Sequence, residues 1–189
     1  MEFAVAASDL AGEDLVFVDE MGINTDMARR YGRALPGIRV VEKCPVNTPP
    51  NTSVIGALGA RGMITCLSVD GSIDSQCFCQ FIEQMLVPQL QVGQVVLMDN
   101  VSTHKSDRVA QAIEGAGAGL IYLPAYSPDF NPIEECWSKI KESLRAGAAR
   151  TKDNLIRGLT KALATITLQD ILGWFNHSGY YFSADWHPL

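Results

Sequence analysis

The sequence predicts an α/β protein, a mixed sheet with helices on both faces, and three observations point to it. Leu15-Val-Phe-Val and Val95-Val-Leu-Met are continuous apolar runs of strand length, the pattern of strands buried on both sides. Between them, residues 52–59 and 63–69 are joined by Ala60-Arg61-Gly62, a hairpin signal. Beyond residue 74, segments of helical apolar spacing alternate with short strands, as expected when helices layer onto a sheet.

The first strand spans residues 15–19 and ends on an acid. Gly22, Gly32, Pro36, Gly37, Pro45, Pro49 and Pro50 then punctuate an irregular insertion over about residues 22–50, with room for a short hairpin around 38–41. After the hairpin and the Asp70-Gly71 turn, Asp74 or Ser75 caps a helix whose apolar positions Phe78, Phe81, Ile82, Met85 and Leu86 recur until Pro88. A strand at 95–99 is followed by a helix at 107–113, which the glycines from Gly115 to Gly119 end, and by a strand at 120–123. Past a proline-rich loop, Ile133, Trp137, Ile140 and Leu144 form a helical stripe, and further helices fit 152–166 and 168–175. No repeat or low-complexity segment interrupts this order, and 189 residues suit one domain, 1–189.

Composition excludes several classes. No apolar run approaches the roughly 20 residues of a membrane span, and Glu2 stands where a signal peptide needs basic charge, so a cytoplasmic protein is expected. The five cysteines, Cys44, Cys66, Cys77, Cys79 and Cys136, have no disulfide or zinc spacing; Cys77 and Cys79 diverge by about 200° on a helix and cannot chelate together. A net charge of −6 argues against binding nucleic acid through a global basic field. Basic residues are nonetheless clustered, Arg29, Arg30, Arg33 and Arg39 in one segment and Lys139, Lys141, Arg145, Arg150, Lys152, Arg157 and Lys161 in another, and such patches can hold phosphate on an acidic protein.

The chemistry lies in three acids. Asp19 and Asp99 each end an apolar strand, where an unpaired carboxylate is costly to bury unless it serves a site. Glu20 points to the other face of its strand. For the third acid, Asn131 suits an N-cap and Pro132 the first helical position, which puts Glu134 in the first turn. Glu134 lies about 90° from the centre of the apolar stripe, at the boundary of the buried face, whereas Glu135 lies about 170° away and is expected to face solvent. Glu134 is therefore the better ligand, although a glutamate there also suits a capping box. Three converging carboxylates suit Mg²⁺ or Mn²⁺, and a pair of such ions about 3.5–4 Å apart serves phosphodiester chemistry.

Three blocks of this sequence, Val16-Phe-Val-Asp-Glu20, Val96-Leu-Met-Asp-Asn-Val-Ser-Thr-His-Lys105 and Leu123-Pro-Ala-Tyr-Ser-Pro-Asp-Phe-Asn-Pro-Ile-Glu-Glu-Cys-Trp137, resemble the signature blocks of Asp-Asp-Glu transposases of the mariner-like branch, which includes many bacterial insertion sequences. Thirty-four residues lie between Asp99 and Glu134, as in Asp-Asp-Glu members of that branch. The resemblance implies a ribonuclease H-like, five-stranded mixed sheet shared with retroviral integrases. It implies DNA strand cleavage followed by strand transfer, with Asp19, Asp99 and Glu134 holding two Mg²⁺ or Mn²⁺ ions per active site. Asn100, His104 and Lys105 match the polar positions after the second acid and are expected near the DNA phosphates or just behind the metal ligands. Lys139, Lys141 and Arg145 are further expected DNA contacts, while Asn131, Pro132 and Trp137 look like cap, helix start and core anchor. The partners implied are transposon ends, target duplex and a second copy in a homodimer within a bacterial cell. Family members usually carry helix-turn-helix modules before this domain, and only eighteen residues precede Asp19, so that module is expected to be missing. Two other readings stand beside this one: another ribonuclease H-like nuclease without strand transfer, and an inert truncated remnant acting by dimerisation or interference.

Overall fold

The structure is a computed structural model that describes residues 10–29, 31–43, 45, 50–101 and 103–187. Cys44 and Arg30 lie outside the described residues. Five strands form one sheet in the order β3-β2-β1-β4-β5: β1 Leu15–Ile23, β2 Thr52–Gly59, β3 Gly62–Asp70, β4 Val95–Met98 and β5 Gly119–Tyr122. β1, β2 and β3 form an antiparallel meander, and β4 and β5 run parallel to β1, so the sheet is mixed as expected. Among the described residues five α-helices cover it: α1 Ser75–Phe81, α2 Asp107–Gly115, α3 Pro132–Gly147, α4 Lys152–Leu163 and α5 Leu168–His177. Among the described residues no helix is long and apolar enough to cross a membrane.

The period of two divides β1 between two cores. Leu15, Phe17, Met21 and Ile23 face α3, α4 and α5, packing with Trp137, Ile140, Leu159 and Phe175. Val16 and Val18 face α1 and α2, packing with Phe78, Ile82, Val109 and Ile113. Asp74 caps α1 through its side chain, accepting from the Cys77 N–H at 2.8 Å. The apolar spacing after Phe81 continues through a π-helical turn at Ile82–Leu86 and a 3-10 turn at Val87–Gln89, where Pro88 ends the α-type ladder.

Three expectations change. β1 runs on to Ile23, because β2 pairs with it down to Thr52 and buries Met21 and Ile23. The hairpin expected at 38–41 is absent: Pro36 and Gly37 make a turn in which the Ile38 N–H donates to the Leu35 carbonyl at 3.0 Å, and Ile38, Val40 and Val41 stay exposed. A two-stranded ribbon with no third layer is marginal in water, and apolar alternation alone does not supply that layer. The helix expected over 152–166 stops at Leu163, because Thr167 and Asp170 form a capping box that starts α5.

The insertion between β1 and β2 is tied down by Arg150, at the α3–α4 junction. One guanidinium nitrogen donates to the carbonyls of Thr25 (3.2 Å) and Met27 (2.9 Å). The other donates to the Lys43 carbonyl (3.1 Å) and the Glu42 carboxylate (3.2 Å).

Candidate active site

β1 and β4 are parallel neighbours paired through Val18 and Met98, so Asp19, inside β1, and Asp99, just past the end of β4, stand side by side. Both share the parity of Phe17 and Leu97, whose side chains belong to the core beneath α3. α3 begins at Pro132 and brings Glu134 to the same place in its first turn. Close approach of α3 to the sheet depends on a residue with no side chain: Gly56 pairs with Asp19 across the β1–β2 ladder, and a Cβ there would stand 2.6 Å from the Trp137 ring. Trp137 is fully buried with its ring over that gap. Gly56→Val is therefore expected to push α3 outward and lower stability by about 1–3 kcal/mol, as overpacking does, while Ser53→Ala on the same strand has little effect. Thermal melts of the two variants check this, and an unchanged melting temperature in Gly56→Val would sink it.

Asp19, Asp99 and Glu134 line one pocket of about 370 Å³, with Asn100, Asn131 and the loop from Leu123 to Pro128 around them. Asp19 lies deepest, 8% exposed, and its Oδ2 is buried with no hydrogen-bond partner. Burial first, and then the Glu134 carboxylate, push its carboxyl up to about 7; the Glu20 backbone N–H opposes this, and Asp99 and Glu20 add to it. Asn131 is 5% exposed and its Oδ1 is likewise buried without a partner, so it occupies the N-cap position of α3 without a side-chain capping bond, contrary to expectation. Glu134 forms no capping box either. Its carboxylate makes no hydrogen bond among the described residues and stands free at the pocket mouth. The donors converging here are all hard oxygens, the set that suits Mg²⁺ or Mn²⁺. Among the described residues, no three His, Cys, Asp or Glu side chains close on one point ready to hold an ion. Uncompensated carboxylates repel one another, so an open arrangement is the relaxed one.

Asp99 leans toward His104, whose Nδ1 lies 2.5 Å from Oδ1 in a contact of charge, its direction leaving Oδ1 without an aligned donor. His104 is 1% exposed, stacked on Phe78 with ring centroids 4.0 Å apart, and its Nε2 lies 3.4 Å from Glu20 Oε1. Burial alone would lower its pKa, but the Asp99 and Glu20 carboxylates outweigh that and raise it to about 9. His104 is thus an internal cation bridging the middle of β1 and the end of β4, buried away from the surface. Of the two places expected for it, His104 takes the one behind an acid of the pocket. Lys139 is engaged within the chain: its ammonium donates to Asp170 Oδ2 (2.5 Å) and to the Thr165 carbonyl (3.1 Å), tying α3 to α5. Lys105 is exposed, 5.8 Å from the centre of the Tyr122 ring, and Asn100 lines the pocket. Lys141 and Arg145 fall within about 20° of Glu134 around α3, a basic stripe leading away from the pocket. Arg145 shares a groove with Arg29 and Tyr31 of the insertion.

The two adjacent glutamates separate, though not by exposure as expected. Glu134 is exposed and lines the carboxylate pocket; Glu135 does not line it and is half-buried, 3.9 Å from the imidazole of His177. The end of α5 covers the side of α3 that the stripe alone assigns to solvent. Glu20, Asn131 and Tyr126 are site neighbours that sequence reasoning did not single out for function. For Glu20 the strand parity that separates it from Asp19 was the available signal, but nothing in the sequence pairs it with a histidine 84 residues away.

Residues 14–156, which include all three acids, match the DDE superfamily endonuclease family. The chain belongs to that family. A curated relative, the transposable element Tcb1 transposase of Caenorhabditis briggsae, is 26% identical over 139 residues, 69% of this chain and 51% of the relative. The DDE chain thus spans about half the length of that relative. The Mos1 strand transfer complex superposes with a TM-score of 0.72 at 15% identity, covering 93% of this chain and 55% of that one. The Mos1 transposase catalytic domain with raltegravir and Mn gives 0.68 at 13% identity, covering 96% and 94%. Likeness at these identities is one of fold: the DDE chain has the ribonuclease H-like sheet with helices on both faces.

Proposed function

We propose that this DDE domain cuts DNA strands and joins the resulting 3′-hydroxyl to a target duplex, as the catalytic part of a mariner-like transposase. The observation that supports this most is that carboxylates from β1, β4 and α3 share one pocket, with Asp19 Oδ2 buried and unpartnered. Two Mg²⁺ or Mn²⁺ ions bound there would supply the countercharge for three acids, activate water and stabilise the leaving oxygen. Asp19, Asp99 and Glu134 would hold them, with Asn131 Oδ1 an additional oxygen at the pocket wall. In the cleavage step a water oxygen bonds to phosphorus as the 3′-oxygen leaves with the proton it needs to become a hydroxyl. In the joining step that hydroxyl's oxygen bonds in line to a phosphorus of the target strand while that strand's own 3′-oxygen leaves, taking the proton the hydroxyl gives up. His104 keeps the Asp99 carboxylate beside Asp19 while Glu20 holds the imidazole from behind. Lys141 and Arg145 attract the duplex along α3, and a second copy of the chain completes the assembly. End recognition is proposed to lie in a helix-turn-helix module outside these residues.

Calorimetric titration with Mn²⁺, and melting with and without it, tests this reading. Binding is expected to raise the melting temperature, since ions that bind only the folded state stabilise it by mass action. Mn²⁺-dependent nicking of supercoiled DNA should appear with the same titration and vanish with a chelator. Absence of divalent binding in the presence of DNA would favour an inert remnant; nicking without joining would favour a simple nuclease.

A further inference from the structure

Tyr126 stands at the rim of the carboxylate pocket with its side chain fully exposed. Its φ is 58°, in the left-handed region where a bulky side chain is an outlier. Among the described residues the other non-glycine with positive φ is Ala148, which ends α3. Tyr126 therefore bears both backbone strain and an aromatic ring in water, and no packing among the described residues covers that ring. The loop that presents it is held firmly. Leu123 N–H donates to the Met98 carbonyl at 2.8 Å, Phe130 N–H donates to the Ser127 carbonyl at 3.2 Å, and Pro124 and Pro128 flank the strained residue. The pocket lining is mixed: beside the three acids, Asn100, Asn131 and Ser127, it includes apolar Val101 and, from the loop that carries Tyr126, Leu123, Pro124, Ala125 and Pro128. A phosphodiester at the acids brings a nucleoside with it, and the base of that nucleoside needs a surface that an acidic floor does not offer.

We propose that Tyr126 is a stacking platform for an unpaired nucleobase adjoining the phosphate under attack. This rests on reading the pocket as a DNA-cleaving site. The apolar wall desolvates one edge of the base and the phenol ring covers its face. Stacking of this kind tolerates any sequence, since every base has a π face. Strained residues collect at sites where the surroundings fix a conformation for function, and a strained, exposed aromatic ring beside three acids fits that pattern.

The test compares two duplexes that differ in a short single-stranded tail, thymidines in one and abasic residues in the other, so that phosphate number is equal. Binding by the chain is measured by fluorescence anisotropy in Ca²⁺. The wild-type chain is expected to prefer the thymidine tail by about 5- to 100-fold. Tyr126→Trp should retain the preference, and Tyr126→Ala should lose it while binding the abasic tail as before. Tyr126→Asn, which suits positive φ, should also lose it without a lower melting temperature. Equal weakening of both duplexes in Tyr126→Ala, or an undiminished preference, overturns the proposal. Nicking in Mn²⁺ separates the two readings: a Tyr126-dependent preference without any nicking keeps the platform and removes the cleavage site, and nicking without the preference does the reverse.

Discussion

Glu134→Gln is expected to lower Mn²⁺-dependent nicking by about 10²–10⁴-fold while leaving the fold intact. Replacing the carboxylate removes one charge from the proposed ligand set, a loss of several kcal/mol of transition-state stabilisation, and each 1.36 kcal/mol is a factor of ten. Stability should hardly change, because Glu134 is exposed, makes no capping bond, and glutamine has similar helix propensity. Glu135→Gln is the matched control. It removes a half-exposed contact with His177, worth at most about 1 kcal/mol, on a side of α3 that does not line the pocket. Turnover of nicked product by both variants, with melting curves alongside, decides the matter. Equal losses at the two positions, or full activity in Glu134→Gln, would remove Glu134 from the active site.

Asp19→Asn is expected to do two opposite things: abolish nicking and stabilise the metal-free chain at alkaline pH. The folded chain holds the Asp19 carboxyl near pKa 7, against about 4 unfolded, so the folded state binds the extra proton. Its stabilising effect is complete below about pH 4 and is lost as pH rises toward and past 7. Above that, the buried charge costs up to roughly 4 kcal/mol, which asparagine does not incur. The variant should melt about 5–10 °C higher than wild type at pH 8, with a much smaller gap at pH 5. Added Mn²⁺ should close the gap at pH 8 by stabilising only the wild type. A variant that melts lower than wild type at pH 8, or a gap independent of pH, would show that desolvation does not govern Asp19.

How far the sequence foretold this site depends on which residues share an element. Asp19 and Asp99 were legible because each follows an apolar run whose parity sets its face. Glu134 was legible because Pro132 fixes the start of its helix. For Lys139 the same reasoning separates it from Lys141 and Arg145, since it lies about 140° around α3 from Glu134, but only the position of Asp170 on α5 shows what it meets. Glu135 was misjudged because a stripe reports a helix's own buried face and not what a later helix lays over the other side. The pairing of Glu20 with His104 joins residues 84 apart, through a loop with no periodicity to read. The hairpin expected around Ile38–Val41 failed for the complementary reason: its local pattern was present and its tertiary partner was not.

Arg150 has a consequence for how this chain can change over time. Its guanidinium fastens Thr25 and Met27 on one side and Glu42 and Lys43 on the other, so both ends of the span between them meet at one side chain. Lengthening such a span is cheap, about 0.6 kcal/mol for each doubling. The register of β1 on β2, which places Asp19, is made wholly by residues outside that span. The segment is therefore an exchangeable cassette, free to be recast for a new neighbour while the acids stay where they are, provided that one arginine is kept.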